Sequence, residues 1–225
     1  MAERIGVYGG TFDPPHLGHL AIAEQLVDAF VLDRLLMVPA AIPPHKRGQT
    51  ISSPFHRLAM LALATAQSSR IFLATLEVEP GATPYTVDTL RRLQQTHPEA
   101  RLFFIMGADS FRDVSCWHHY EELLTRYSTI VAMRPGFPGK EVATWGELAG
   151  NLPALFQELV VDLRGGSRPT MEQMQCPHIF LTDYVSVDVS ATNIRLAVAE
   201  GRPLRDLVPS SVASYIDKYQ LYSHA

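Results

Sequence analysis

Residues 5–19 read Ile5-Gly6-Val7-Tyr8-Gly9-Gly10-Thr11-Phe12-Asp13-Pro14-Pro15-His16-Leu17-Gly18-His19, and this stretch decides the fold. A short apolar run ends at a glycine pair, which reads as a buried strand closed by a sharp turn. Pro14 and Pro15 lack amide protons and resist helix, so the next helix starts near His16 or Leu17. Beyond it Leu20, Ala23, Val27 and Phe30 recur at spacings of three and four and form one apolar stripe.

The same alternation continues along the chain. Leu35–Val38 stops at Pro39, Leu102–Met106 stops at Gly107, and Thr129–Met133 runs into Arg134-Pro135-Gly136. Ile71–Ala74 and Ile179–Leu181 are two further strand candidates. Between the runs, Ser53-Pro54 followed by Leu58, Leu61 and Ala62 reads as a capped helix with proline at its first position. Thr86–Leu93 and Tyr120–Leu124 are shorter helical candidates. Strands that are apolar throughout, separated by amphipathic helices, imply a parallel sheet covered on both faces. The expected fold class is α/β, a doubly wound parallel sheet spanning about residues 1–185. A small C-terminal helical part, 186–225, packs on it within one domain. Residues 135–178 hold several Pro and Gly and one apolar run from Leu155 to Leu163, and read as an irregular connection with a helix or two.

Composition narrows the function classes. The 225 residues are 47% hydrophobic and 19% charged, enough for a substantial core and too apolar for a disordered chain. Lys+Arg 19 against Asp+Glu 23 gives a net charge of −4, whereas a general nucleic-acid binder shows a basic excess, so phosphate binding is expected to be local. Cys116 and Cys176 form no CxxC pair and suggest no disulfide scaffold. With no signal peptide or spanning segment legible, the expectation is a cytoplasmic protein without membrane partners; monomer and homo-oligomer both stay open.

The unusual polar clusters follow strands, where open parallel sheets bind ligands. At the first, Gly9 and Gly10 let backbone approach a phosphate closely. His16 and His19 share one helical face beside the amide protons of a helix start. A glycine pair after a strand can be a plain turn, and histidines three apart can be metal ligands. No Cys or Glu stands near them at a zinc spacing, and loop, helix start and histidines together favour phosphate. Pro43-Pro44-His45-Lys46-Arg47 places two cations and an imidazole on a loop rich in Pro, Gly and Ser. That run is either a solvated surface or a polyphosphate contact. Ser190 caps the last helical pattern, and Thr192 and Arg195 lie three apart on one face of it.

Gly10-Thr11-Phe12-Asp13-Pro14-Pro15-His16-Leu17-Gly18-His19 resembles the His-x-Gly-His signature of the nucleotidylyltransferase superfamily. Val189-Ser190-Ala191-Thr192-Asn193-Ile194-Arg195 resembles its second signature. Pro43-Pro44-His45-Lys46, Tyr85-Thr86 with Thr89-Leu90, Gly107-Ala108-Asp109-Ser110, Trp117 and Arg134-Pro135-Gly136 are similar to pieces of the bacterial nicotinate-nucleotide adenylyltransferases. The segment before Tyr85 departs from that pattern with Thr83-Pro84, and so does His118 after Trp117.

The resemblance implies a Rossmann-like fold and transfer of the adenylyl group of ATP to nicotinate mononucleotide. It implies ATP contacts at Gly9, Gly10, Thr11, His16, Gly18, His19, His45, Lys46, Ser190, Thr192 and Arg195, with His16, His19, Lys46 and Arg195 serving the chemistry. It implies acceptor contacts at Thr86, Asp109 and Trp117, although Trp117 reads equally as a core tryptophan. Mg²⁺ is expected through the phosphates of ATP and water, with no cage of protein ligands. Nicotinamide mononucleotide, phosphopantetheine, cytidylyl transfer and a catalytically silent nucleotide sensor are the competing readings. The long 135–178 connection speaks against the phosphopantetheine enzyme, and the presence of both histidines speaks against the sensor.

Overall fold

The structure is a computed structural model that describes residues 2–41, 51–133, 148, 152–185 and 187–223. Among these residues the sheet has seven strands in the order β3-β2-β1-β4-β5-β7-β6. They are β1 (Arg4–Gly10), β2 (Arg34–Pro39), β3 (Ile71–Leu73), β4 (Arg101–Gly107), β5 (Ser128–Ala132), β6 (Val160–Asp162) and β7 (Ile179–Thr182). Every pairing is parallel, and β1 lies between β2 and β4, with Tyr8 opposite Met37 on one side and Ile105 on the other. The winding therefore reverses between β1 and β4, the crevice in which such sheets bind ligands.

Helices cover both faces. They are α1 (Leu17–Ala29), α2 (Pro54–Thr65), α3 (Thr86–Thr96), α4 (Ala108–Arg112), α5 (Tyr120–Arg126), α6 (Ala154–Gln157), α7 (Ala191–Ala199) and α8 (Ser210–Lys218). Alternation along the strands sorts the core into two layers. Val7, Phe104 and Met106 join Leu90, Phe111 and Leu123 on one face. Tyr8, Phe103 and Ile105 join Ile22, Leu26 and Phe30 on the other. A third cluster joins Met60 of α2 to Ile194 of α7 and to Val212 and Ile216 of α8, seating the C-terminal helices beside α2.

Two expectations are corrected. The Leu155–Leu163 run is not simply helical: after the short α6 it forms β6, whose Val160 pairs with Ile179 of β7 as the edge strand. Only Val160 and Val161 of this strand are strongly apolar, too short a signal to separate strand from helix by period. The buried face of α2 is Arg57, Met60, Leu61 and Thr65, whereas Ala62 is exposed. An arginine occupies a core position that the apolar pattern assigned elsewhere.

Candidate active site

The turn after β1 is built around Phe12 rather than around its glycines. Phe12 is the residue in the left-handed region, with φ 50. Its buried ring meets Tyr8 edge-on at 5.6 Å and His19 at 4.9 Å, contacts that offset the backbone strain. Gly10 is required for room: a Cβ there would lie 2.8 Å from the Phe12 ring. The sharp turn read into Gly9-Gly10 thus falls two residues later.

His16 is the N-cap of α1. Its Nδ1 accepts from the His19 amide at 3.3 Å, and His19 Nδ1 accepts from the His16 amide at 3.2 Å. This is a reciprocal capping box made of two imidazoles, with ring centroids 3.6 Å apart and planes 27° from parallel. Because both Nδ1 atoms accept, a neutral ring at either position carries its proton on Nε2. Gly18 leaves space for the stack, since a Cβ there would lie 3.1 Å from His16 Nδ1.

Amide protons expected beside the two histidines at this helix start are already engaged. His19 is part-buried, but His16 is only 1% exposed. The Leu17 amide donates to Leu207 O at 3.0 Å, so the C-terminal part occupies one of the amides at the start of α1.

The second signature arrives at the same turn. Ser190 caps α7 by accepting from the Asn193 amide at 3.2 Å. Arg195, one turn further on, donates through Nη1 to Asp13 O at 2.8 Å and through Nη2 to Thr192 Oγ1 at 3.3 Å. Asp13 and Arg195 are 182 residues apart in the chain. Thr192 itself is exposed.

Two residues outside the sequence reading, Arg57 and Tyr222, hold this arrangement together with Asp13 of the signature. Arg57 has no exposed surface and spends its fork on carbonyls: Nη1 on Thr11 at 2.8 Å, Nη2 on Ala41 at 3.0 Å and Nε on Ser52 at 3.1 Å. Burial lowers the pKa of the Arg57 guanidinium, and the charge of Asp13 works against that fall. Asp13 is itself buried and accepts from Tyr222 Oη at 2.7 Å and from the Ser52 amide at 3.2 Å. Burial, with the Asp13 charge second, pushes the Tyr222 phenol far above its usual range. For Arg57 the sequence did hold a signal, since it shares the α2 face of Met60 and Leu61. Tyr222 had none.

Beside the turn lies a cleft of about 240 Å³ at the carboxyl ends of β1 and β4. Gly9, Gly10 and Thr11 line it, together with Tyr85, Thr86 and Trp117. Trp117 is half-buried, with its ring edge-on to Phe104 at 6.2 Å, so it is both wall and core. Thr86 opens α3, whose N-cap Tyr85 makes no side-chain capping bond. The Tyr85 and His118 rings lie 4.3 Å apart. Asp109 does not line the cleft; it is exposed on α4, and its neighbour Ser110 is on the wall instead. Glu77 and Cys116, which the sequence did not single out, also line it. His45 and Lys46 lie outside the described residues, as does Arg134-Pro135-Gly136. Among the described residues no group of three His, Cys, Asp or Glu is placed to hold a metal ion. No helix among them is long and apolar enough to cross a membrane.

A glycine-walled cleft at the switch point, with a signature from each end of the chain meeting beside it, defines a nucleotide-handling protein of the Rossmann-like class. The chain belongs to the cytidylyltransferase-like family, which matches residues 7–197, and within it to the nicotinate-nucleotide adenylyltransferases. It is 36% identical over 220 residues to the probable nicotinate-nucleotide adenylyltransferase of Desulfitobacterium hafniense (strain Y51), covering 98% of this chain and 96% of that one. It is 39% identical over 223 residues to the corresponding protein of Geobacter sp. (strain M21), covering 99% of each. Its fold is similar to that of Plasmodium falciparum nicotinic acid mononucleotide adenylyltransferase complexed with NaAD, with a TM-score of 0.68 at 19% identity over 99% of this chain and 98% of that one.

Proposed function

We propose that this chain transfers the adenylyl group of ATP to nicotinate mononucleotide, giving nicotinate adenine dinucleotide and pyrophosphate, as an enzyme of the cytoplasm. The observation that carries the reading is the bond from Arg195 to Asp13 O, which gathers both signatures at the glycine turn.

The acceptor's phosphate is already a nucleophile, so no Ser, Cys or Lys needs activating. One of its oxygens attacks the α-phosphorus of ATP, the bond from that phosphorus to the bridging oxygen breaks, and the electron pair leaves with pyrophosphate. The work left for the protein is alignment and neutralisation of charge on the departing oxygens. His19, and behind it His16, carry the ring proton on Nε2, the donor this reading assigns to α-phosphate oxygens. Their reciprocal cap holds both rings in one orientation before substrate arrives. Gly9, Gly10, Thr11 and Gly18 let the nucleotide approach backbone. Ser190, Thr192 and Arg195 are assigned to the outer phosphates, with His45 and Lys46 beside them by resemblance. Mg²⁺ bound with ATP would supply further neutralisation of the phosphate charge.

For the acceptor, Trp117 stacks on the pyridine ring. Thr86 begins a helix of 11 residues without a side-chain cap, whose positive end favours the acid form of the ring over the amide. Asp109 is assigned to a ribose hydroxyl by resemblance alone; its neighbour Ser110 lines the cleft. The test is to mix the protein with ATP, Mg²⁺ and, separately, nicotinate mononucleotide, nicotinamide mononucleotide and phosphopantetheine, and to follow the adenylylated product of each by mass. Nicotinate mononucleotide is expected to react fastest. A faster phosphopantetheine reaction, or no product with any acceptor, would overturn the reading.

A further inference from the structure

The cleft wall contains a carboxylate for which nothing above has a use. Glu77 sits in the turn after β3, part-buried, and lines the cleft with Tyr85, Thr86 and Trp117. Its Oε1 accepts from Thr89 Oγ1 of α3 at 2.9 Å, the same helix whose first residue is Thr86. The turn is pinned from α3 as well, since Arg92 donates to Leu76 O at 3.2 Å. Glu77 is thus held at a fixed place, with one oxygen engaged by a buried threonine.

The surroundings decide what it suits. Among the described residues that line the cleft, Glu77 is the only carboxylate, and there is no Lys or Arg. The remaining wall is largely aromatic, apolar or glycine. Burial pushes the Glu77 carboxyl up, and the Thr89 bond offsets only part of that. A lone carboxylate in an aromatic cleft is unfavourable until a cation arrives, and aromatic faces attract cations too.

Resting on the proposed function, we infer that Glu77 determines acceptor specificity by pairing its free oxygen with the permanent positive charge of the acceptor's pyridinium ring. The ring of nicotinate mononucleotide is zwitterionic, and the two ends of its charge find opposite partners: carboxylate at the start of α3, ring nitrogen at Glu77. The cleft then discriminates on ring charge, a property that shape alone does not report.

Nicotinamide mononucleotide and its dihydro form supply a matched pair of probes, nearly identical in size and differing in ring charge. Binding of each to the full-length protein is measured by calorimetry, which needs no turnover, for the wild type, Glu77→Gln and Thr89→Val. The wild type is expected to prefer the cationic ring by about tenfold, the size of one partly screened charge pair. Glu77→Gln is expected to lose that preference and to bind nicotinate mononucleotide about tenfold more weakly, with ATP affinity changed less than twofold. Thr89→Val keeps the charge, so it should keep the preference while weakening both probes. Equal affinity of the wild type for the two probes would overturn the inference. So would a Glu77→Gln protein that keeps the preference, or that weakens both probes alike. Should the wild type discriminate by ring charge but make no dinucleotide, the proposed function fails and only charge-selective binding at Glu77 stands; dinucleotide formation without charge discrimination overturns the inference alone.

Discussion

Arg57, fully buried in α2, donates through Nη1 to the carbonyl oxygen of Thr11 at 2.8 Å and so fixes the glycine turn from behind. The same guanidinium joins Ala41 O to Ser52 O, the two flanks of residues 42–50. Replacing it with Met would leave three carbonyls without these donors in a space that keeps the methylene packing. Arg57→Met is expected to lower unfolding free energy by about 3 kcal/mol or more, read from the urea midpoint. Arg57→Lys should recover only part of this, because an ammonium lacks the planar fork. An unchanged midpoint in Arg57→Met would show that the three bonds do not order the turn.

His19→Ala removes one half of the capping box and the Nε2 donor together. The cap contributes about 1 kcal/mol, so the fold should persist. Turnover should fall on the order of a hundredfold or more, as for a donor that acts chiefly in the transition state. The two effects are separated by thermal melting and steady-state rates on the same preparation. Full activity would remove His19 from the chemistry.

The fold was largely legible because parallel strands are apolar throughout and four of the six candidate runs end at or near Gly or Pro. All six strand candidates form strands, and the sheet differs from expectation mainly through β6. That edge strand needs only Val160 and Val161 to be apolar, and pairs with β7 alone. The clusters at Gly9-Gly10 and at Ser190–Arg195 stood out because glycines, histidines and a helix-start arginine have few other reasons to gather. Nothing in one dimension showed that His16 faces inward, since the chain beside the start of α1 comes from far away: Leu207 O accepts from the Leu17 amide, and Val189 O lies next to Gly18. Arg57, Tyr222 and Glu77 escaped for the same reason: each acts through a partner distant in sequence or through burial, and an isolated charged residue reads as surface.

Cys116 and Cys176 are both free and exposed, but only Cys116 lines the cleft. Acceptor bound between Trp117 and Thr86 would shield it. Nicotinate mononucleotide should therefore slow alkylation of Cys116 by iodoacetamide and leave Cys176 unaffected, as followed by peptide mass. Equal protection of both thiols would place the acceptor elsewhere.

Glu77 also links stability to pH. Its folded pKa is raised, chiefly by burial, so the folded state keeps a proton that the unfolded chain gives up. That contribution is present below the ordinary glutamate range and declines as pH rises through the raised value. The groups around it are Thr89, Tyr85 and Arg92 of α3, Glu79 on its own turn, and Cys116 and His118 across the cleft. Glu77→Gln removes only the Glu77 share. Its melting temperature should match the wild type near about pH 4.5 and exceed it near about pH 8. A variant less stable at the higher pH would mean that the ionised carboxylate supports the free protein.

The most direct test follows the phosphorus atoms. ATP labelled at the α-phosphorus and, in a separate reaction, at the γ-phosphorus is incubated with the protein, Mg²⁺ and nicotinate mononucleotide. The account predicts that the α label appears in the dinucleotide and the γ label in pyrophosphate. Label from the γ-phosphorus on the mononucleotide, or α label remaining wholly in adenine mononucleotides, would contradict it.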